Sequence, residues 1–130
     1  MTRLLIVAAG GALGAVARYG VGVWAQRVFA NAQWPATLTV NVVGGLLMGL
    51  LTGWLAFRAG ANSESLRLFA AVGVLGGFTT FSAFSLETVL MIERRQFALA
   101  GGYVAASVAL SVLALFIGLM VARRAFGAAL

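Results

Sequence analysis

The feature that most constrains this chain is a series of four long apolar stretches joined by short polar connections. The stretches run approximately from Leu4 to Phe29, Thr37 to Phe57, Leu66 to Ile92 and Phe97 to Val121. A helix needs about 20 mostly apolar residues to cross a bilayer. Of the 130 residues, 62% are hydrophobic and only 9% are charged, too few for the surface of a soluble domain. We therefore expect one all-α domain of four transmembrane helices, residues 1–130, embedded in a lipid bilayer.

The composition excludes several classes of protein. The chain has no cysteine and no histidine, which removes thiolate and imidazole ligands and the usual nucleophile–base pairs. An enzyme is therefore the least expected function. Nine arginines against three glutamates give a net charge of +6, but the arginines form no long basic run. Contact with anionic lipid is expected, and nucleic-acid binding is not.

The arginines are distributed almost evenly between the two predicted sides of the membrane. One side holds Arg3, Arg58, Arg67, Arg123 and Arg124; the other holds Arg27, Arg94 and Arg95; Arg18 lies inside the first span. Loop arginines normally set the orientation of a membrane protein, and here the bias is weak. Two alternatives follow: one orientation set by the terminal segments, or insertion both ways followed by antiparallel dimerisation.

Two of the predicted helices carry glycines, with one polar residue each, at four-residue spacing. The aligned positions are Gly10, Gly14, Arg18 and Gly22 in the first span and Asn41, Gly45, Gly49 and Gly53 in the second. Residues four apart share a helix face, and glycines at this spacing let two backbones approach closely. We interpret the glycines as packing surfaces, with the lining of a narrow path as the alternative.

An irregular run interrupts the third apolar stretch: Gly76-Gly77-Phe78-Thr79-Thr80-Phe81-Ser82-Ala83-Phe84. It predicts that the third helix is broken near its middle. Backbone that leaves the helix at bilayer depth is tolerated only where protein or a water-filled cavity surrounds it. The run is therefore the predicted functional centre.

Neutral polar side chains recur at depth in the other spans. Asn41 lies near the start of the second span, and Tyr103, Ser107 and Ser111 form a ladder of hydroxyls spaced by four in the last. Hydroxyl and amide protons, together with the positive edges of aromatic rings, can solvate an anion without a fixed charge. Weak donors in series suit conduction, because an ion must bind and also leave.

Each of these side chains also has a simpler explanation. Asn41 could join two helices, serines in membrane helices often bond to their own backbone carbonyls, and phenylalanines often fill the core or face lipid. The residues alone leave these alternatives open.

Three segments resemble, in order and spacing, the signatures of the fluoride-specific ion channel family (Fluc, also called CrcB). They are residues 10–19 (GGALGAVARY), residues 37–44 (TLTVNVVG) and residues 73–85 (GVLGGFTTFSAFS). The third segment is highly specific, and the resemblance extends over the whole chain. Members of the family are antiparallel, dual-topology homodimers of the bacterial inner membrane. The resemblance implies a passive, selective channel that exports fluoride and so relieves its toxicity.

The resemblance also implies roles for individual residues. Asn41 would be the pore amide, and Phe81 and Phe84 would be the aromatic fluoride contacts. The polar track would consist of Tyr103, Ser107 and Ser111, with the hydroxyl of Thr37 nearby. Arg18 would be a vestibule or structural charge. The main-chain carbonyls of Gly76 and Thr79 from both subunits would hold a structural sodium ion at the dimer centre, and oxygen ligands of this kind suit a hard cation.

Two residues fall outside this pattern. Ala83 stands where the family commonly has threonine, so any role of that hydroxyl is void here. Glu87 is the only carboxylate well inside a predicted span, and we expect a hydrogen-bonded cap near the membrane surface rather than a gate.

Two other functions fit the sequence less well than a channel. A small proton-coupled multidrug-type exporter would need a titratable group at depth, typically a carboxylate in the first span, and this first span has none. A membrane scaffold subunit without transport activity would explain the glycine faces but not the donors clustered around a helix break.

Overall fold

The computed structural model describes residues 1–30, 32–57 and 63–127, and its regular elements in those ranges are all helical. Four helical spans in this part of the chain are long and apolar enough to cross a membrane. They are α1 (Thr2–Val28), α2 (Trp34–Ala56), the third span (Ser63–Glu93) and α6 (Phe97–Gly127). The sequence-based expectation of a four-span helical membrane protein is confirmed.

The third span is assembled from four helical pieces. These are α3 (Ser63–Leu66), a π-helix (Arg67–Leu75), α4 (Gly76–Phe78) and α5 (Phe81–Glu93). Thr79 and Thr80 between α4 and α5 are extended, with ψ angles of 157° and 120°. The helix therefore breaks near its middle, as the sequence predicts.

The break is narrower than the irregular run from Gly76 to Phe84, because the helix continues to Phe78 and resumes at Phe81. Glycine at Gly77 serves close packing, since a Cβ there would collide with the carbonyl oxygen of Gly11. Thr80 ends the break by capping the next helix: its Oγ1 accepts a hydrogen bond from the Ala83 N–H at 3.1 Å at the start of α5.

The helix ends also differ from the apolar stretches in the sequence. α2 starts at Trp34, earlier than predicted, because Pro35 is compatible with a first helical turn. α6 continues past Val121 to Gly127. Arg58, one of the arginines used to compare the two sides, lies outside the described residues.

The turn between α5 and α6 is tight. The Gln96 N–H donates to the Met91 carbonyl at 2.8 Å, and the Arg95 N–H donates to the Ile92 carbonyl at 2.9 Å. The backbone of Arg95 is in the left-handed region, with φ of 58°. This conformation and the two hydrogen bonds form a Schellman motif. The motif ends α5 and lets α6 start at once, so the two helices lie side by side.

Glycines hold the subunit together along two interfaces. α2 packs along α6, where a Cβ at Gly49 would collide with the Leu115 carbonyl oxygen. α1 packs along the π-helix and α4, where a Cβ at Gly14 would collide with the Val74 carbonyl oxygen. The predicted glycine packing surfaces are confirmed at these interfaces, whereas Gly22 meets only the Gln33 side chain, at 4.0 Å.

α5 is packed less closely than the other long helices. It contacts mainly α6 and α2, and it exposes Phe81, Leu86 and Val89. Large apolar side chains are also exposed along α1 and α6. A subunit with so little interior and so much apolar surface needs lipid or another protein chain around it.

The glycine interfaces can be tested by adding one methyl group. Gly49→Ala should lower the thermal unfolding temperature of the purified protein, because overpacking a close backbone contact costs about 1–3 kcal/mol. Gly102→Ala is the matched control, since a Cβ at Gly102 meets nothing within 4 Å and alanine favours the helix. Equal unfolding temperatures for the two variants would contradict the assignment.

Candidate functional site

Asn41 on α2 binds the backbone of the broken helix with both ends of its side-chain amide. Its Nδ2 donates to the Thr80 carbonyl oxygen at 3.0 Å, and its Oδ1 accepts from the Thr80 N–H at 2.8 Å. The Thr80 N–H has no helical acceptor at the break, whereas the Thr80 carbonyl, at the N-cap of α5, accepts from Asn41 in addition to the first N–H of that helix. Of the two sequence-based interpretations of Asn41, the structure shows the helix-joining one directly.

Arg18 on α1 binds the same break from the other side. Its Nε donates to the Gly77 carbonyl oxygen at 3.1 Å. The last carbonyls of a helix lack intrahelical donors, so a cationic side chain stabilises this end of α4. Arg18, the one arginine near the middle of α1, thus binds the backbone of the break.

Two other carbonyl groups at the break keep their acceptor capacity. Within the described part of the chain, no hydrogen bond joins the carbonyl oxygen of Gly76 or Thr79 to another group outside the helical ladders. Gly76 is exposed on the subunit surface. The residues described contain no group of three or more His, Cys, Asp or Glu side chains that could hold a metal ion.

A row of aromatic rings leads from the surface into the bundle beside the break. Phe81 and Phe84 have centroids 5.4 Å apart, and Phe84 and Tyr103 have centroids 5.3 Å apart. Trp34 continues the row at 5.8 Å from Tyr103, a contact that the sequence analysis missed. Phe81 is 78% exposed and Tyr103 only 3%, so the row connects an open face to a buried one.

Ser107 and Ser111 on α6 are the unusual hydroxyls of the site. Their Oγ atoms are buried and have no hydrogen-bond partner among the described residues. The alternative predicted for serines, a hydrogen bond to a backbone carbonyl of the same helix, is found at other residues. The Thr79 hydroxyl donates to the Leu75 carbonyl and the Ser85 hydroxyl to the Phe81 carbonyl, at 2.9 Å each. Buried polar atoms are usually paired, and an unpaired one costs about 1–3 kcal/mol. These hydroxyls are therefore available for a ligand.

The unpaired hydroxyls line a groove of about 440 Å³ between α2, α5 and α6. Asn41, Phe81 and Phe84 line it as well, together with Thr79 and Thr80 of the break. None of its lining residues is charged. The structure thus brings together, in one neutral groove, five of the residues predicted for the fluoride path: Asn41, Phe81, Phe84, Ser107 and Ser111.

Glu87 is more central than the sequence analysis expected. The Thr37 hydroxyl donates to its Oε1 and the Tyr103 hydroxyl to its Oε2, both at 2.6 Å. The expected hydrogen bonding of this carboxylate is found, but its partners are side chains of α2 and α6, so Glu87 joins three helices. Its position three residues after Phe84 on the same helix face was the available signal. Thr37 and Tyr103 therefore direct their protons at Glu87.

A second cavity of about 410 Å³ lies on the other side of the break, between α1, α2 and α5. Arg18, Thr37 and Glu87 line it, and the glutamine side chains Gln26 and Gln33 lie there too. Thr80 lines both this cavity and the groove. The break therefore stands between a cavity that contains charged side chains and a groove without any.

Comparison with known proteins identifies the family. The sequence profile of the family described as CrcB-like protein, Camphor Resistance (CrcB), matches residues 5–119. A protein of Caulobacter sp. (strain K31) is 64% identical over 127 residues, covering 97% of this chain and 98% of that protein.

A relative from Phenylobacterium zucineum is 58% identical, covering 97% of this chain and 99% of its own length. A relative from Agrobacterium fabrum is 48% identical, covering 97% of this chain and 100% of its own length. All three relatives are named fluoride-specific ion channel FluC. The predicted resemblance is confirmed, and the chain belongs to the CrcB-like family of ion channels, not to an enzyme family.

Proposed function

We propose that this protein is a passive, selective channel that exports fluoride across the membrane and so relieves fluoride toxicity. The observation that carries the proposal is the pair of buried, unpaired hydroxyls of Ser107 and Ser111, which lie in a groove with the rings of Phe81 and Phe84. The names of the relatives support fluoride as the ion.

Neutral donors explain how the groove would conduct a small, strongly hydrated anion. The hydroxyl protons of Ser107 and Ser111 and the positive ring edges of the two phenylalanines would replace part of its water. Because no lining residue of the groove is charged, no fixed cation would trap the ion there.

Asn41 can serve the path while it holds the break. Its Nδ2 carries two protons, and the Thr80 carbonyl takes one of them. The second proton would face a passing anion. The helix-joining role and the pore-amide role are therefore compatible in one side chain.

Tyr103, Thr37 and Arg18 would act around the groove rather than at its centre. Glu87 orients the Tyr103 and Thr37 hydroxyls, which would form the polar wall beyond the unpaired serines. Arg18 lines the 410 Å³ cavity, where its charge would raise the local concentration of anions in a vestibule.

The functional unit would be an antiparallel, dual-topology homodimer in the bacterial inner membrane. Three observations support an assembly. α5 is loosely packed, Phe81 is 78% exposed, and the arginine bias that would fix one orientation is weak. A second copy would cover the open side of the groove and complete a path on each side of the interface.

The carbonyl groups of Gly76 and Thr79 would hold a structural sodium ion at the centre of that dimer. The two oxygens accept no hydrogen bond outside the helical ladders of the described chain, and Gly76 is exposed, as a ligand shared across an interface must be. Two oxygens from each subunit would make four. Neutral oxygen ligands of this kind suit a hard cation, whose charge would interact favourably with the carbonyl dipoles that point at the site.

The function can be tested by reconstitution in liposomes. Purified protein should pass fluoride electrogenically down its gradient and should pass chloride far more slowly. Export of a cationic dye driven by a proton gradient would instead indicate a multidrug-type exporter. Absence of all flux from a folded, reconstituted dimer would indicate a scaffold and contradict the channel.

Asn41→Asp should strongly reduce fluoride flux, because it places a like charge in the path and removes the donor to the Thr80 carbonyl. We expect the rate of fluoride efflux from liposomes to fall at least about tenfold, which corresponds to the free energy of about one hydrogen bond to the ion. Unchanged flux through a correctly assembled dimer would contradict the pore assignment of Asn41.

Dual topology can be tested with one introduced thiol, because the native chain has no cysteine. Gln96→Cys places the thiol in the exposed turn after α5. A membrane-impermeant maleimide added outside intact cells should label about half of the copies if both orientations are inserted equally. Complete labelling, or none until the cells are opened, would show a single orientation.

A further inference from the structure

The peptide group between Thr79 and Thr80 connects the two parts of the proposed channel. The described peptide bonds are all trans, so the Thr79 carbonyl and the Thr80 N–H lie in one plane and point in opposite directions. Whatever holds the N–H therefore also aims the carbonyl.

Asn41 is the group that holds this N–H. Its Oδ1 accepts from the Thr80 N–H at 2.8 Å, and its Nδ2 donates to the Thr80 carbonyl at 3.0 Å, so one amide holds both peptide groups that flank Thr80. The Thr79 carbonyl consequently points away from Asn41.

The neighbouring backbone groups are held by different partners. The Thr79 N–H and hydroxyl both donate to the Leu75 carbonyl, at 3.0 and 2.9 Å, and Arg18 binds the Gly77 carbonyl at 3.1 Å. These bonds fix the end of α4. None of them fixes the rotation of the Thr79–Thr80 peptide group, whose N–H bonds to Asn41 within the described chain.

We propose that Asn41 is a positioning residue for the central cation: by binding the Thr80 N–H, it aims the Thr79 carbonyl at the sodium ion. This inference rests on the proposed function and extends it, because the same side chain lines the fluoride groove. Sodium binding and fluoride binding in the groove are then coupled through one amide, and by linkage each ion changes the affinity for the other by the same factor.

The sequence offers an unusually selective probe of this peptide group. Thr79-Thr80 is the only pair of adjacent threonines in the chain. Protein labelled with threonine carrying ¹³C at the carbonyl and ¹⁵N at the amide therefore gives one directly coupled ¹³C–¹⁵N signal in nuclear magnetic resonance. In the wild-type dimer, the Thr79 carbonyl shift should change saturably with NaCl and not with N-methylglucamine chloride.

Asn41→Leu removes both hydrogen bonds and keeps a side chain of similar shape. We expect its sodium midpoint to rise about tenfold, the effect of losing one hydrogen bond near the upper end of the usual range. We also expect the Thr80 amide proton to lose its hydrogen-bonded shift. Thr39→Val is the matched control on the same helix, since the Thr39 hydroxyl donates within its own helix, to the Pro35 carbonyl. The sodium midpoint of this control should stay at the wild-type value.

The outcomes separate this inference from the function on which it rests. If the wild-type carbonyl signal responds to sodium and Asn41→Leu keeps the same midpoint, the positioning role is overturned while the cation centre stands. If the wild-type signal does not respond, the cation centre and the positioning role both fail, and fluoride efflux still decides whether the protein is a channel.

A second measurement covers the case in which Asn41→Leu does not assemble. In the wild-type dimer, saturating sodium should slow hydrogen exchange of the Thr80 amide, because the cation then holds the other end of the same peptide group. Exchange that is unchanged by sodium would overturn the positioning role without any variant.

Discussion

The constraint on which this structure depends is that backbone groups at membrane depth must find partners inside the protein. A helix that breaks between Phe78 and Phe81 exposes such groups in the middle of a span. Asn41 and Arg18 reach in from α2 and α1 to bind them. The break is therefore held in one shape, which fixes where α5 starts and where Phe81 and Phe84 lie.

The hydroxyls around the break divide into two groups with different chemical capacity. Thr79, Ser85 and Thr88 donate to carbonyls of their own helix, so their protons are already engaged. Ser107 and Ser111 have buried oxygens without partners in the described chain, although an unpaired buried hydroxyl is unfavourable. A neutral groove that keeps donors free at this cost is suited to a ligand that accepts hydrogen bonds and must later leave.

The subunit is also incomplete in a way that matches this site. Close backbone contacts at glycines hold α1 to the π-helix and α4, and α2 to α6, but α5 lacks a comparable interface. The open face of the groove, the exposed Phe81 ring and the exposed Gly76 are all near the break. A second copy of the chain on this face would cover apolar surface and complete the ligand sets at the same time.

The sequence alone determined the membrane class, the four spans, the break and the family, because apolar length, glycine spacing and the motif of residues 73–85 are local properties of the chain. It also determined which polar residues lie at depth.

Only the tertiary structure decided what they bind. Asn41 lies 39 residues from Thr80, and Thr37 lies 50 residues from Glu87, so no helical periodicity relates the partners. The packing of α2 against α5 and α6 directed the Thr37 and Tyr103 protons to Glu87 and left those of Ser107 and Ser111 free. Spacing along a helix shows which side chains share a face, but the partner across that face depends on how separate helices pack.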